Sequence, residues 1–370
     1  MNNNEVLVNA GGVKKRNQTI DAIKGYGICL MVCGHSGFPF TNWIYLFHMA
    51  LFFIASGYLW NDRNAISIKN LKNYVYRKIC TLWMPFVFIN VFFTITFNFF
   101  YSIGFYSASN AKNILAVDPL NIMSFIKNII SNLLFSGGTQ LAGATWFLRS
   151  LFCISVVNAF IVYVFKKLKI EKYYLYIMFF MSIVGAILIN TNSFVSTLFG
   201  KIGLQSFFAG YYAFLIGIVF RKINIFDYIK AKKYVLLGIS FIILTILNRY
   251  GEIELNVGHI GNILFYTVTS IMGWILIAAI SLIFINWNKC LAYAGKKSIW
   301  ILGLHFLSFK IVSYAIVKIT CCDILQLAYY PVIREPRWIW LVYLIVGISL
   351  PLIIEWLYKS AKITLTKQTS

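Results

Sequence analysis

Four histidines are the natural starting point for chemistry in this chain of 370 residues. Histidine is the side chain whose ordinary pKa lets it give and take protons near neutrality. His35, His48 and His305 lie in strongly apolar runs, whereas His259 lies in a more polar stretch. A neutral imidazole is a competent general base and can also act as a nucleophile. Asp21 and Lys24 precede His35 in the same run, three residues apart, a spacing that lets them pair on a helix. His35 follows Lys24 by eleven residues, about three turns, near the same face. Arg149 lies one turn into another apolar run. Ionisable groups in such settings are costly and mark function or tight pairing. The residues to weigh for chemistry are therefore His35, His48, Arg149, Lys24 and Asp21. Each has a structural reading beside the chemical one. A histidine near a helix end suits the water interface, and His48 between Phe47 and Met49 suits a hydrogen bond between helices. His305 reads chiefly as structural and His259 as solvated. Lys310 could snorkel, although its mid-span position makes that hard.

The elements that must carry these residues follow from composition. Apolar residues make up 60% of the chain and charged residues 12%. A soluble chain has roughly 45–50% and about 25%, so a polytopic membrane protein is expected. The formal charge of +22 would suit a nucleic-acid partner in a soluble protein, a class the apolar background excludes. A helix needs about 20 mostly apolar residues to cross a bilayer. Ten segments qualify: 20–36, 43–60, 80–100, 145–165, 173–190, 205–220, 234–248, 261–286, 298–319 and 338–357. Of the 33 basic residues, 23 fall in the tails and alternate loops on one side, six on the other, and four (Lys24, Arg149, Lys310 and Lys318) within spans. Lysine and arginine concentrate on the cytoplasmic side of membrane proteins. The expected fold is thus all-α, a polytopic membrane helix bundle of about ten transmembrane helices, both termini cytoplasmic. A cytoplasmic tail covers 1–19, the transmembrane domain 20–357 and a second cytoplasmic tail 358–370. The longest loop, 101–144, is then external. It contains an amphipathic stretch from Ile122 to Phe135 suited to the membrane surface. The seven cysteines form no Cys-x-x-Cys pair and suggest neither a disulfide framework nor a zinc site. No cleavable signal peptide is evident.

Short motifs now carry a resemblance. Ile20-Asp21-Ala22-Ile23-Lys24-Gly25 followed by Gly34-His35 resembles the first span of membrane acyltransferase family 3, in which a basic residue, ten others and a histidine follow in order. The run from Phe47 to Trp60 is similar to that family's Phe-His-x-Pro-x-Phe-Phe-x-x-Ser-Gly-Tyr element, with Ala50 at the proline position. Thr145-Trp146-Phe147-Leu148 resembles its Trp-Phe-Leu, and Gly295, Ser298 and His305 its late Gly-x-x-Ser and histidine element. Gly261-Asn262, Phe265-Tyr266 and Gly273 are similar to the sugar O-acetylase branch that includes fucose 4-O-acetylases. The resemblance implies transfer of an acetyl group from cytoplasmic acetyl-CoA to a sugar hydroxyl of a surface glycan or its lipid-linked precursor, in a bacterial inner membrane. It implies His35 as general base or covalent acyl relay, with His48, Arg149 and Lys24 to orient it or stabilise an oxyanion and Asp21 to fix Lys24. No His, Asp or Glu cluster has ligand spacing, so no metal is expected, and the apolar background leaves no nucleic-acid partner. The family's Arg-x-x-Arg, linked to the acyl donor, is incomplete here: Arg77 is followed three later by Cys80, with Lys78 adjacent. Arg77 and Lys78, assisted by Lys72, are the expected donor site, at the start of the third span where a helix N-terminus favours phosphate. They also serve as topology-setting charges. A secondary transporter using buried His and Lys as a proton relay is the main alternative, and a glycan flippase or polymerase the next.

Overall fold

The structure is a computed structural model and describes residues 17–368. The Lys14-Lys15-Arg16 cluster of the expected 1–19 tail lies outside the described residues. Among those described, helices dominate and no β-strand forms beyond two isolated bridges. In chain order the helices are α1 (Gln18–His35), α2 (Thr41–Tyr45), α3 (His48–Tyr58), α4 (Ile68–Lys78), α5 (Met84–Ile95) and α6 (Phe97–Ser102). There follow α7 (Ile122–Leu133), α8 (Trp146–Lys167), α9 (Tyr174–Thr191), α10 (Ser193–Lys201), α11 (Phe207–Lys222) and α12 (Ile225–Ala231). The last are α13 (Lys233–Leu247), α14 (Ile263–Ile283), α15 (Asn288–Lys296), α16 (Ser298–Thr320) and α17 (Trp340–Gln368).

A helix occupies each of the ten expected segments, but the described residues hold six helices long and apolar enough to cross a membrane. A seventh is added if α11 and α12, bent by 72°, count as one span. The segments below that standard have identifiable causes. α1 carries Asp21 and Lys24, α13 has 15 residues, and the second segment is broken at Leu46-Phe47. The third span begins earlier than expected, since α4, a π-turn at Ile79–Trp83 and α5 run on as one helical stretch, Ile68–Ile95. α17 continues to Gln368, so the 357 boundary falls inside a helix. The amphipathic stretch folds as α7, with Ile122, Ile126, Ile130 and Leu133 exposed along one face.

Small residues let the central helices touch, which is how apolar helices gain packing where water supplies no drive between them. A Cβ on Gly57 of α3 would lie 1.8 Å from the Phe214 carbonyl oxygen of α11, and one on Gly217 of α11 would lie 2.0 Å from the Ile54 oxygen of α3. The same reciprocity joins α1 and α15 through Gly25 against Leu291 and Gly295 against Asp21. Two ends of the bundle can be distinguished. One carries the 101–144 loop and is called the loop end; the other is the basic end. At the basic end, the Glu355 carboxylate of α17 is buried between Lys297 and the Tyr293 hydroxyl, and Arg221 and Lys166 donate to backbone oxygens of Trp60 and Asp62. At the loop end, Lys310 is 1% exposed and does not snorkel. Its ammonium donates to the Leu327 and Tyr329 oxygens at 2.6 and 2.8 Å.

Candidate active site

The site is built where α1 ends. Ser36 closes the helix by donating its hydroxyl to the Cys33 oxygen at 2.7 Å. Gly37, at φ +86°, turns the chain, and Thr41 starts α2 with a 2.6 Å bond to the Phe38 oxygen. α2 lasts five residues and brings Tyr45 back over α1. Gly34 permits this, because a Cβ there would come within 2.5 Å of the Tyr45 ring. The chain then breaks and α3 opens with His48 as its first residue. His48 was expected a turn and a half into a continuous span. It sits instead at a helix N-terminus, because Phe47 has left the helical conformation, at φ −145°.

His35 meets a partner 270 residues away. Its Nδ1 lies 3.1 Å from Nε2 of His305 on α16. Nδ1 of His305 lies 3.1 Å from both the Ile301 and Leu302 carbonyl oxygens. Those oxygens can only accept, so this nitrogen carries the proton. A neutral His305 therefore has its lone pair at Nε2, and Nδ1–H of His35 donates to it. His35 is left with a bare Nε2. The same logic applies to His48, whose Nδ1 lies 3.0 Å from the Ile44 oxygen. Tyr45 stands between the two rings, 6.1 Å from His35 and 4.9 Å from His48 by centroids. Phe306 stacks on His35 at 5.0 Å.

His35, Tyr45 and His48 line a cavity of about 300 Å³. Its wall includes Ile28, Met31, Phe52, Trp146, Phe306 and Tyr330, and at the loop end Glu254 and Asn256. Along α1 the cavity runs from His35 down to Ile28, about 10 Å by helical rise. Among the described residues, no three His, Cys, Asp or Glu side chains gather as metal ligands do.

The other expected site residues lie elsewhere. Lys24 is about 16 Å along α1 from His35 and cannot touch it. Its ammonium lies instead within electrostatic range of Lys78. Asp21 is buried in the first turn of α1, at that same end. Arg149 does not line the cavity. It donates to the Phe135 oxygen at 3.2 Å and lies against Gly203, where a Cβ would meet its guanidinium at 2.0 Å. That is a tether between two loops. Arg77 donates to the Asn64 side chain at 3.0 Å, Lys78 lies over the Tyr74 ring, and Lys72 is exposed on α4. The helix carrying them starts at Ile68, capped by Ser67, so Arg77 and Lys78 are about three turns inside it. A helix N-terminus adds nothing to their hold on phosphate.

An apolar bundle enclosing paired histidines agrees with the comparison of the whole sequence, whose residues 17–356 match the acyltransferase domain of the acyltransferase 3 family. The chain belongs to that family. It is accordingly a membrane acyltransferase. No curated protein and no solved structure matches the chain. Sequence reasoning missed four residues at this site. His305 read as structural because its partner is remote in sequence. Tyr45 and Tyr330 were singled out by no motif. Glu254 lay in a loop with no motif. One signal was available for Tyr45, since Gly34 beside a candidate base implies that something approaches closely there.

Proposed function

We propose that the protein is an O-acetyltransferase that moves an acetyl group from cytoplasmic acetyl-CoA to a hydroxyl of a cell-surface polysaccharide sugar or its lipid-linked precursor. One observation carries this reading: the hydrogen bonds of His305 leave His35, on the wall of a partly open cavity, with an unprotonated Nε2. That nitrogen takes the proton of the acceptor hydroxyl as its oxygen bonds to the acetyl carbon. The carbon–sulfur bond of the thioester then breaks, and CoA leaves as the thiolate, which takes the proton back from His35. The imidazolium formed in between is shared with His305 through the 3.1 Å bond. α3 faces the cavity with its N-terminus, whose first N–H groups have no partner within the helix and whose dipole favours a developing oxyanion. The Tyr330 hydroxyl is a second donor on the same wall. A cavity of this size, small for a ligand site, suits one sugar ring and a short acyl group.

The spacing of Lys24 and His35 gains a meaning in this account. Lys24, with Lys78, Arg77 and Lys72, anchors the CoA phosphates at the basic end. The flexible arm of the donor then carries the thioester along α1 to His35. With ten spans and both termini cytoplasmic in a bacterial inner membrane, the basic end faces the donor and the loop end faces the acceptor. The test uses sealed vesicles with labelled acetyl-CoA inside and glycan acceptor outside. Label is expected to reach the outer glycan, and reversing Arg77 and Lys78 to Glu is expected to raise the KM for acetyl-CoA about tenfold or more. Transfer that requires both substrates on one side, or an unchanged KM, contradicts the two-sided arrangement.

A further inference from the structure

The mouth of the cavity has its own architecture. Between α13 and α14 the chain forms a tight hairpin in which Glu254 N–H donates to the His259 oxygen at 2.9 Å and His259 N–H donates back at 3.1 Å. Gly258, at φ +78°, makes the turn, and a Cβ there would collide with Ile189 at 2.6 Å. Both ends of the segment are held. On one side the Asn42 amide of α2 donates to the Asn248 side chain at 3.0 Å. On the other, Asn190 of α9 donates to the Gly261 oxygen at 2.8 Å and accepts from Ile260 N–H at 3.2 Å. The hairpin is thus fixed to two other helices, α2 and α9, and Glu254 and Asn256 sit on the cavity wall. Asn42 belongs to the helix that carries Tyr45, so the hairpin and that cavity-wall tyrosine share one support.

The charge pattern of the wall is the informative part. The chain has 33 basic and 11 acidic residues, yet among the described residues the only Asp, Glu, Lys or Arg lining this cavity is Glu254. Its side chain is exposed and forms no salt bridge among the described residues. Around it stand Tyr45, Trp146, Phe306 and Tyr330. Aromatic walls pack against the C–H faces of a sugar ring, while a carboxylate and an amide accept and donate to its hydroxyls. An anionic acceptor would meet an uncompensated carboxylate at the entrance.

We propose that the Glu254–His259 hairpin is the acceptor-recognition element and that Glu254 selects an uncharged sugar ring over an anionic one. This rests on the sugar-acceptor reading above and specifies it. The probes are matched pairs of methyl hexosides and methyl hexuronides of gluco, galacto and manno configuration, which differ by the carboxylate at C6. Wild type is expected to favour the neutral member by about tenfold or more in kcat/KM, as like charges in contact oppose binding. Glu254→Gln is expected to shrink that preference at least threefold through the KM for the acceptor, with KM for acetyl-CoA unchanged. Glu254→Asp is expected to restore it. Asn256→Asp, which adds a second negative charge on the same hairpin, is expected to widen it. An unchanged preference in Glu254→Gln, or a change in kcat alone, overturns the role of Glu254 and leaves the sugar reading standing. Failure of wild type to acetylate any of these glycosides overturns the sugar reading, and this inference with it.

Discussion

At the scale of single residues, the account turns on where two protons sit. His305 is fully buried and bonded to two carbonyl oxygens, and in the proposed mechanism it fixes the tautomer of His35 and shares the charge that His35 acquires. Removing it lets His35 turn or bind its proton at the wrong nitrogen. His305→Ala is expected to lower kcat on the order of 100-fold, within the range of general-base catalysis, with the KM of both substrates unchanged. His305→Gln keeps an acceptor for the His35 Nδ1–H and is expected to recover most of the loss. A KM effect without a kcat effect would assign His305 to packing alone. His35 was singled out in the sequence by its spacing from Lys24, which resembles the family's first span, beside an equally open reading as a water-interface histidine. Its partner was not, since no local pattern announces a contact across 270 residues.

At the scale of elements, the decisive feature is the broken second segment. A continuous helix over 43–60 would have pointed Tyr45 and His48 along one regular surface. The break at Leu46-Phe47 instead turns α2 across α1 and gives α3 a fresh N-terminus at the cavity. Apolar periodicity could not reveal this, because both pieces are equally apolar and no Gly or Pro marks the joint. Gly34 is what admits α2 so closely. Gly34→Ala is expected to push Tyr45 outward, at a cost of about 1–3 kcal/mol in stability, the range for overpacking a core. Transfer is expected to fall with it. A shift in thermal unfolding midpoint together with activity, measured on purified protein, checks this, and a variant unchanged in both would show that the contact is dispensable. The helix through Ile68–Ile95 teaches the complementary lesson. Its apolar part was plain, but its polar first turns, Ile68–Lys78, looked like loop.

At the scale of the molecule, the alternation of basic residues and the helices give different counts of spans. Charge counting asks only for loops and so counts ten crossings. Length and apolarity admit six or seven, because α1, α3 and α13 are short or carry polar residues. Short, interrupted helices are what a buried polar cavity requires, since non-helical backbone at membrane depth is tolerated only where protein or water covers it. The proposed orientation has a direct check. Cys321 and Cys322 are exposed at the loop end of α16, and Cys290 is exposed on α15 at the basic end. In intact cells, with the remaining cysteines replaced, an impermeant maleimide is expected to label Cys321 and Cys322 and to spare Cys290 until the membrane is opened. The reverse pattern would invert the bundle and place the donor anchor on the wrong side.

The central claim is that His35, held by His305, is the base for acyl transfer, and one comparison addresses it most directly. Acetyl transfer from labelled acetyl-CoA to glycan acceptor is measured in membranes containing equal amounts of wild type and His35→Ala. The account predicts that the variant loses transfer by about 100-fold or more while its affinity for acetyl-CoA stays the same. Full transfer by His35→Ala at normal abundance would contradict it.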